Sequence, residues 1–137
     1  MILSTFDSNE ADTSSTIDVL GASSYLVNRI SGSKFVNNTA QKNTISMKEG
    51  KADISTSIFR DNLSKERSKN RFLGFAEVNI SDCAFMSPDF TFPLRELAKD
   101  QTMGAFIYII LDVKLIVMNS KFTSGLAKYG GAIYISG

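Results

Sequence analysis

Phenylalanine recurs along the chain in a constant setting of polar and apolar positions. Three copies share the pattern Ser-x-Phe-x-x-Asn, namely Ser4-x-Phe6-x-x-Asn9, Ser33-x-Phe35-x-x-Asn38 and Ser57-x-Phe59-x-x-Asn62. Partial copies follow at Cys83-x-Phe85 and Ser120-x-Phe122, so the five phenylalanines are separated by 29, 24, 26 and 37 residues. Self-similarity at such a period indicates stacked structural units, each too small to bury its apolar face without a neighbour.

The positions around each phenylalanine predict short strands and polar corners. Val78 and Ile80 stand two residues apart, as side chains on one face of a strand must. Isoleucines recur ten or eleven residues after the phenylalanine, at Ile17, Ile45 and Ile133. We expect a strand at each Ser-x-Phe, a corner at the asparagine and a second strand near the isoleucine. The fold predicted for residues 1–137 is therefore all-β, a single parallel β-helix (β-solenoid) of about five coils.

Two segments interrupt the repeat and predict insertions at corners. The charged segment 60–71 is typical of a protruding, solvated loop. The segment 93–103 lies within the longest interval between phenylalanines and contains helical spacing. A solenoid accepts such insertions because the cost of loop closure grows slowly with length. Neither end of the chain shows the polar cap that protects open strand edges, so we also expect a segment of a longer chain.

Composition and charge limit the classes of function. With 137 residues, 43% of them hydrophobic, and a formal net charge of +1, the chain has material for one domain but lacks the strong positive field of a nucleic-acid-binding protein. The most apolar segment, 104–118, contains Asp112 and Lys114 and is shorter than the ~20 residues of a membrane-spanning helix. It predicts two strands with a bend between them. We therefore expect neither a nucleic-acid partner nor a membrane span in this segment.

Residue types needed for several common catalytic and metal sites are missing. The chain contains no histidine, which excludes Ser-His-Asp and Cys-His arrangements and imidazole metal ligands. Cys83 is the only cysteine, so neither an internal disulfide nor a Cys-x-x-Cys metal pair can form. Its place at the serine position of the repeat predicts a small buried residue. We expect no catalytic residues, no metal and no cofactor.

A polysaccharide-acting enzyme is an alternative, because parallel β-helices also host enzymes of this class. The candidate carboxylates share no local motif and are Asp53, Asp61, Asp82 and Asp112. Such an enzyme requires two carboxyl groups at a narrow separation, so it predicts that carboxylates cluster on one wall of the solenoid. Without that cluster, acidic side chains on solvated corners need no special role.

Three Asn-x-Ser/Thr sequences are candidate N-glycosylation sites: Asn37-Asn38-Thr39, Asn62-Leu63-Ser64 and Asn79-Ile80-Ser81. Attachment of a glycan requires a eukaryotic secretory route and an exposed side chain. Chance occurrence is the alternative in a chain so rich in asparagine, serine and threonine. Asn62 is also a corner asparagine of the repeat, and an inward-facing asparagine could not carry a glycan.

Stacking predicts structural roles for the repeated residues. Phenylalanines at one position of successive coils can form an interior column, in which each buries about 150–250 Å². Corner asparagines can tolerate left-handed backbone angles and hydrogen-bond along the stack as a ladder. Gly130 and Gly131 would allow a tight corner or a close approach of two backbones.

The Phe-x-x-Asn spacing at Phe6/Asn9, Phe35/Asn38 and Phe59/Asn62, with Gly130-Gly131-Ala132-Ile133 after Phe122, resembles the repeats of chlamydial polymorphic outer-membrane proteins and of similar large surface proteins in protists. Those repeats pair Phe-x-x-Asn with Gly-Gly-Ala-(Ile/Leu/Val). Here Pro88 and Gly125 replace the asparagine after the last two phenylalanines. The resemblance implies a right-handed parallel β-helix and an extracellular, adhesin-like or filament-forming passenger domain, with no catalytic residues to carry over.

We interpret the chain as a non-enzymatic structural or adhesive β-helix segment of a large extracellular or cell-surface protein. It would act as a rigid spacer, adhesin or filament subunit. Its expected partners are flanking coils of the same longer chain, other proteins, and glycans. A second alternative is an intracellular scaffold within a larger assembly, which predicts unmodified asparagines and a reduced Cys83.

Overall fold

The computed structural model describes residues 4–11, 16–19, 27–41, 44–64, 70–87, 106–110 and 113–136. These residues form fifteen strands and no helix. In chain order the strands are β1 (Thr5–Asp7), β2 (Glu10–Ala11), β3 (Ile17–Val19), β4 (Val27–Ser31), β5 (Lys34–Val36), β6 (Thr39–Ala40), β7 (Ile45–Ser55), β8 (Ile58–Arg60), β9 (Leu63–Ser64), β10 (Asn70–Ser81), β11 (Ala84–Met86), β12 (Ile107–Ile110), β13 (Lys114–Met118), β14 (Lys121–Thr123) and β15 (Ile133–Ser136). Their pairings are parallel and make three sheets, which confirms the predicted all-β parallel β-solenoid.

The first sheet, the phenylalanine sheet, has the strand order β1-β5-β8-β11-β14. Each of its strands is three residues long with a phenylalanine in the middle. Because successive side chains point to opposite faces, the middle residue faces the interior and its two neighbours face outward. The parallel register places the five phenylalanines side by side, in the order Phe6, Phe35, Phe59, Phe85 and Phe122.

The second sheet, the long sheet, is built on the paired strands β7 and β10. Its order is β15-β12-β10-β7-β3, while β4 and β13 pair with the second halves of β7 and β10. At mid-strand the register shifts between Leu73 and Ala76, opposite Glu49 and Gly50, whose φ angles are 64° and 90°. The shift leaves one extra residue in β10 relative to β7, and an extra residue of this kind bends a strand. The segment 104–118, expected to form two strands, contains β12 and β13.

The core lies between the phenylalanine sheet and the inner face of the long sheet. The most deeply buried aliphatic residues of the long sheet, each at most 2% exposed, are Ile45, Met47, Ala52, Ile54, Val78, Ile80, Ile107 and Ile109. The register also aligns the recurring isoleucines in one column, which runs Ile17, Ile45, Asn70, Ile107, Ile133. Their spacing after each phenylalanine therefore reflects one position in successive coils.

The third sheet, the short sheet, has three strands in the order β2-β6-β9. Three successive coils thus supply a strand to every sheet, and the described chain makes about three turns of solenoid. The expected number of about five coils is not confirmed. The predicted insertion 93–103 lies outside the described residues. Within 60–71, strands β8, β9 and β10 include residues at both ends of the range, and 65–69 lie outside the described part.

Corners recur at equivalent positions and share a left-handed backbone. Two residues after the phenylalanine, positive φ angles occur at Ser8, Asn37, Asp61 and Ser124. Before the serine position, they occur at Gly32, Thr56, Asp82 and Asn119. At the corner that follows the phenylalanine, the left-handed residue is therefore the one before the motif asparagine, and not the asparagine itself. Such angles cost a non-glycine residue roughly 1–2 kcal/mol, and bonds between coils, such as Asn37 N–H to the Arg60 carbonyl at 3.1 Å, hold the corners in place.

Candidate functional site

The repeated phenylalanines form one continuous stack in the interior. From Phe6 through Phe35, Phe59 and Phe85 to Phe122, successive ring centroids are 4.7, 4.8, 4.7 and 4.9 Å apart, and adjacent rings are tilted by 7° or less. These separations match the spacing of about 4.8 Å between neighbouring strands. The three central rings are at most 3% exposed, and the two outer rings are half-buried. The strand register therefore produces the stack.

The motif asparagines form a ladder of hydrogen bonds between coils. Asn38 Oδ1 accepts the backbone N–H of Asn9 at 3.0 Å and its Nδ2–H at 2.8 Å. Asn62 Oδ1 accepts the same two donors from Asn38, at 3.1 and 2.9 Å. Each Nδ2 also reaches back to the previous coil, from Asn38 to the Phe6 carbonyl and from Asn62 to the Phe35 carbonyl, both at 2.9 Å. Asn38 and Asn62 are 0% and 2% exposed, whereas Asn9 is exposed, so the ladder is an interior feature from its second asparagine on.

A second set of bonds follows the serine position of the repeat. Ser57 Oγ donates to the Ser55 carbonyl at 2.8 Å and accepts the backbone N–H of Ser33 at 3.2 Å. Ser120 Oγ likewise accepts the N–H of Cys83 at 3.2 Å. The Cys83 thiol donates to the carbonyl of Ser81, two residues earlier, at 3.2 Å, in the same way that Ser57 Oγ donates to the Ser55 carbonyl.

Cys83 is buried at this serine position, with 3% of its surface exposed. Desolvation by burial raises the pKa of the thiol; the backbone N–H of Ser57 lowers it, and the nearby Asp82 carboxylate raises it further. A thiol with a raised pKa carries little nucleophilic thiolate at neutral pH. The geometry thus fits a packed structural residue.

The Gly-Gly-Ala-Ile segment contains one glycine that the backbone requires. Gly130 has a φ of 63°, and a Cβ there would collide with the Ile133 carbonyl. Gly131 is different, because a Cβ there would meet nothing closer than the Gly125 carbonyl at 3.7 Å. At Gly125, by contrast, a Cβ would collide with the Gly131 carbonyl and lie 2.8 Å from the Phe106 ring. The close backbone approach therefore depends on Gly125, which stands at the position of the motif asparagine.

Two buried residues are not predicted by the repeat. The Phe106 ring, 1% exposed, packs at an angle against Phe85 and Phe122, with centroids 6.1 and 5.9 Å away. Asn70 takes an isoleucine position in the column of the long sheet, and its backbone N–H and Nδ2 both donate to the Phe106 carbonyl, at 2.9 and 3.0 Å. Neither residue has a counterpart of its own type in neighbouring coils, so periodicity carries no signal for them.

The outer face of the long sheet carries a ladder of opposite charges. Glu77 lies between Lys51 and Lys114 in adjacent strands, with N–O distances of 3.7 and 3.9 Å. Arg29 and Asp53 form a neighbouring pair at 3.7 Å. All of these side chains are substantially exposed, and exposed pairs contribute at most about 1 kcal/mol each. The charges at these paired positions therefore nearly cancel, while Val27 beside Lys51 adds an exposed apolar side chain to the same face.

The candidate carboxylates lie on different parts of the coil. Asp53 is on the outer wall of the long sheet, Asp61 is at the corner after Phe59, and Asp82 is at the corner before Cys83. Asp61 contacts Arg60 at 3.4 Å. Asp112 lies outside the described residues. Within the described part of the chain, no three histidine, cysteine or acidic side chains are grouped so that they could hold a metal ion.

The three candidate glycosylation sites lie in different environments. Asn37 is exposed at the left-handed corner after Phe35. Asn62 is buried in the ladder. Asn79 is half-buried in strand β10, where the register places Asp53 and Ile116 on either side of it.

No described segment forms a helix with the length and apolarity that crossing a membrane requires. Comparison with known proteins finds no family model, no curated protein and no solved structure that matches this chain.

Proposed function

We propose that the chain is a non-enzymatic structural segment, a stiff β-solenoid rod that serves as a spacer, adhesin or filament subunit of a large extracellular or cell-surface protein. The observation that carries the proposal is that the repeated side chains contact one another between coils. The phenylalanines stack on one another and the asparagines bond to one another across coils. The repeated side chains therefore hold each coil to the next, as a rod requires.

Stiffness follows from two independent kinds of contact at each step. Stacked rings resist separation of neighbouring coils, because opening one step exposes two aromatic faces to water. Bonds such as Asn38 Nδ2 to Asn62 Oδ1 are directional, so they also resist sliding and rotation of one coil on the next. A rod with both restraints holds its two ends at a fixed distance and orientation.

We also propose that the rod is a right-handed helix of five coils with loop insertions at its corners. The five strands of the phenylalanine sheet support the number, since each stacked ring marks one coil. The right-handed path of the chain is proposed from the resemblance of its repeats to those of the surface proteins named above. An experimental structure of the 137-residue chain would test both features; a left-handed path or fewer coils would refute them.

The rod is tested by distance measurements along the phenylalanine sheet. Thr5 and Lys121 are exposed at the same outward position of the first and last strands. Spin labels at Thr5→Cys and Lys121→Cys, in a Cys83→Ser background, should lie on Cα atoms roughly 19 Å apart, four strand spacings. A stiff rod gives a narrow distance distribution that broadens in denaturant. A broad distribution in native buffer would contradict the proposal.

The extracellular location is a separate part of the proposal and has its own test. It is supported by the resemblance of the repeats to those of surface proteins and by the three Asn-x-Ser/Thr sequences. Antibodies against the chain should label intact, unpermeabilised cells of the source organism. Labelling only after permeabilisation would favour the intracellular scaffold instead, while leaving the rod intact.

A further inference from the structure

The candidate glycosylation sites differ in whether the fold has room for a glycan. Asn37 and Asn62 occupy neighbouring positions in the corners of successive coils, since one precedes the ladder and the other belongs to it. The Asn37 side chain is exposed, and its backbone N–H rather than its side chain bonds to the next coil. The Asn62 side chain is 2% exposed, and both its oxygen and its nitrogen bond to other coils.

We propose that Asn37 is an N-glycan acceptor and that the asparagine ladder prevents Asn62 from being one. For the native protein, this inference rests on the proposed extracellular location. In the reaction, Asn37 Nδ2 forms a bond to C1 of the first sugar of a lipid-pyrophosphate-linked oligosaccharide, the co-reactant of the eukaryotic secretory route. The bond from C1 to the pyrophosphate oxygen breaks, the lipid pyrophosphate leaves with the electron pair, and Nδ2 loses one proton.

The corner geometry at Asn37 favours this modification. Its φ of 54° belongs to an exposed left-handed corner between β5 and β6, and the equivalent residues of the adjacent coils, Ser8 and Asp61, have short side chains at the same kind of corner. A sugar on Asn37 would extend from this edge into solvent. The required hydroxyl belongs to Thr39 at the start of β6, two residues further on.

The other two sites are less favourable for distinct reasons. A sugar on Asn62 Nδ2 would occupy the space of the Phe35 carbonyl, 2.9 Å away, and would separate two coils. A chain that received a glycan on Asn62 in the secretory pathway could not close its ladder, so we expect no such glycan in the folded product. Asn79 faces outward near the end of β10, where the adjacent strands place Asp53 and Ile116 on either side of it.

The test is expression of the 137-residue chain behind a cleavable secretion signal in eukaryotic cells, followed by glycopeptide mapping of the folded, secreted product. We expect a glycan at Asn37 and none at Asn62. Asn37→Gly removes the acceptor while suiting the positive φ, and Thr39→Ala removes the hydroxyl while keeping Asn37. Both variants should lose the glycan mass, and Thr39→Ser should retain it.

An unmodified Asn37 in the folded, secreted product would overturn the inference, as would a glycan on Asn62. The host supplies the secretory route, so this result does not depend on where the native protein is located. Failure of the proposed location would be seen separately, as absence of surface labelling on source cells. The two failures are therefore distinguishable.

Discussion

The Asn38 side chain hydrogen-bonds to both neighbouring coils. It connects Asn9, Phe6 and Asn62, so removing it breaks bonds to both neighbouring coils and leaves part-buried groups, such as the Phe6 carbonyl, without this partner. Each such group costs about 1–3 kcal/mol. We expect Asn38→Ala to lower the free energy of unfolding by about 2–4 kcal/mol, measured by chemical denaturation followed by circular dichroism.

The adjacent residue supplies the control. Asn37→Gly alters an exposed side chain and retains access to the left-handed angle, so the free energy of unfolding should change by less than about 0.5 kcal/mol. Equal losses for the two variants would mean that the ladder contributes no more than any corner residue.

Cys83 makes stability depend on pH. Its folded-state pKa lies above the ordinary value of 9.0, because burial disfavours the thiolate. The unfolded chain therefore releases the thiol proton first, so this contribution to stability is present below pH 9.0 and is lost as the pH rises through the folded-state pKa. Relative to Cys83→Ser, the wild-type chain should lose additional free energy of unfolding above that pH.

The comparison uses a variant that the fold already accommodates. Serine occupies this position at Ser33, Ser57 and Ser120, so Cys83→Ser should remain folded with a stability change of roughly 1 kcal/mol or less. Denaturation curves for both proteins, measured below and above pH 9.0, isolate the thiol because the other titrating groups are common to both. Parallel pH profiles would contradict the assignment.

At the scale of elements, the phenylalanine sheet predicts a gradient of mutational effects. Phe59 is stacked on both faces, by Phe35 and Phe85, and is 3% exposed. Phe6 is half-buried, and the described ring against it is Phe35. Phe59→Ala should therefore cost about 3–5 kcal/mol, and Phe6→Ala roughly 1–2 kcal/mol.

Thermal and chemical unfolding of the two alanine variants would measure this difference. Leucine variants at the same positions separate loss of volume from loss of ring stacking, since leucine refills most of the space. Similar losses at the centre and at the end would show that coils do not stabilise one another through the stack.

At the scale of the whole molecule, a linear stack opens from its ends. In the 137-residue chain, each coil contacts mainly its neighbours, so stability is a sum of coil terms and interface terms. β8 has two strands on each side in the phenylalanine sheet, whereas β1 and β14 are its edges. Amide hydrogen exchange followed by mass spectrometry should therefore show protection that decreases from β8 to β5 and β11, and again to β1 and β14.

Uniform protection along the sheet would indicate a single cooperative unit instead. It would mean that the interfaces between coils dominate the terms within them. Exchange that is fastest at β8 would contradict the stacked order itself.

The regular parts of this fold were predictable because each repeat uses the same residues in the same way. Phe35 and Phe59 share one pattern, and from it alone the strand, the inward phenylalanine and the asparagine corner follow. The irregular parts were not predictable. Gly131 matches the motif, but the close approach of two backbones occurs at Gly125. Asn70 stands at an isoleucine position of the column, and no pattern in the neighbouring sequence predicts it.

By itself, the sequence determined the class of fold, the period of the coils and the inward position of the phenylalanines, because alternation and repetition are local properties of a strand. Only the tertiary structure decided which asparagine is buried and which is exposed, where the long sheet bends, and that the described chain makes about three turns. Those features depend on register between residues about one coil apart, as between Asn38 and Asn62, and no local pattern contains that register.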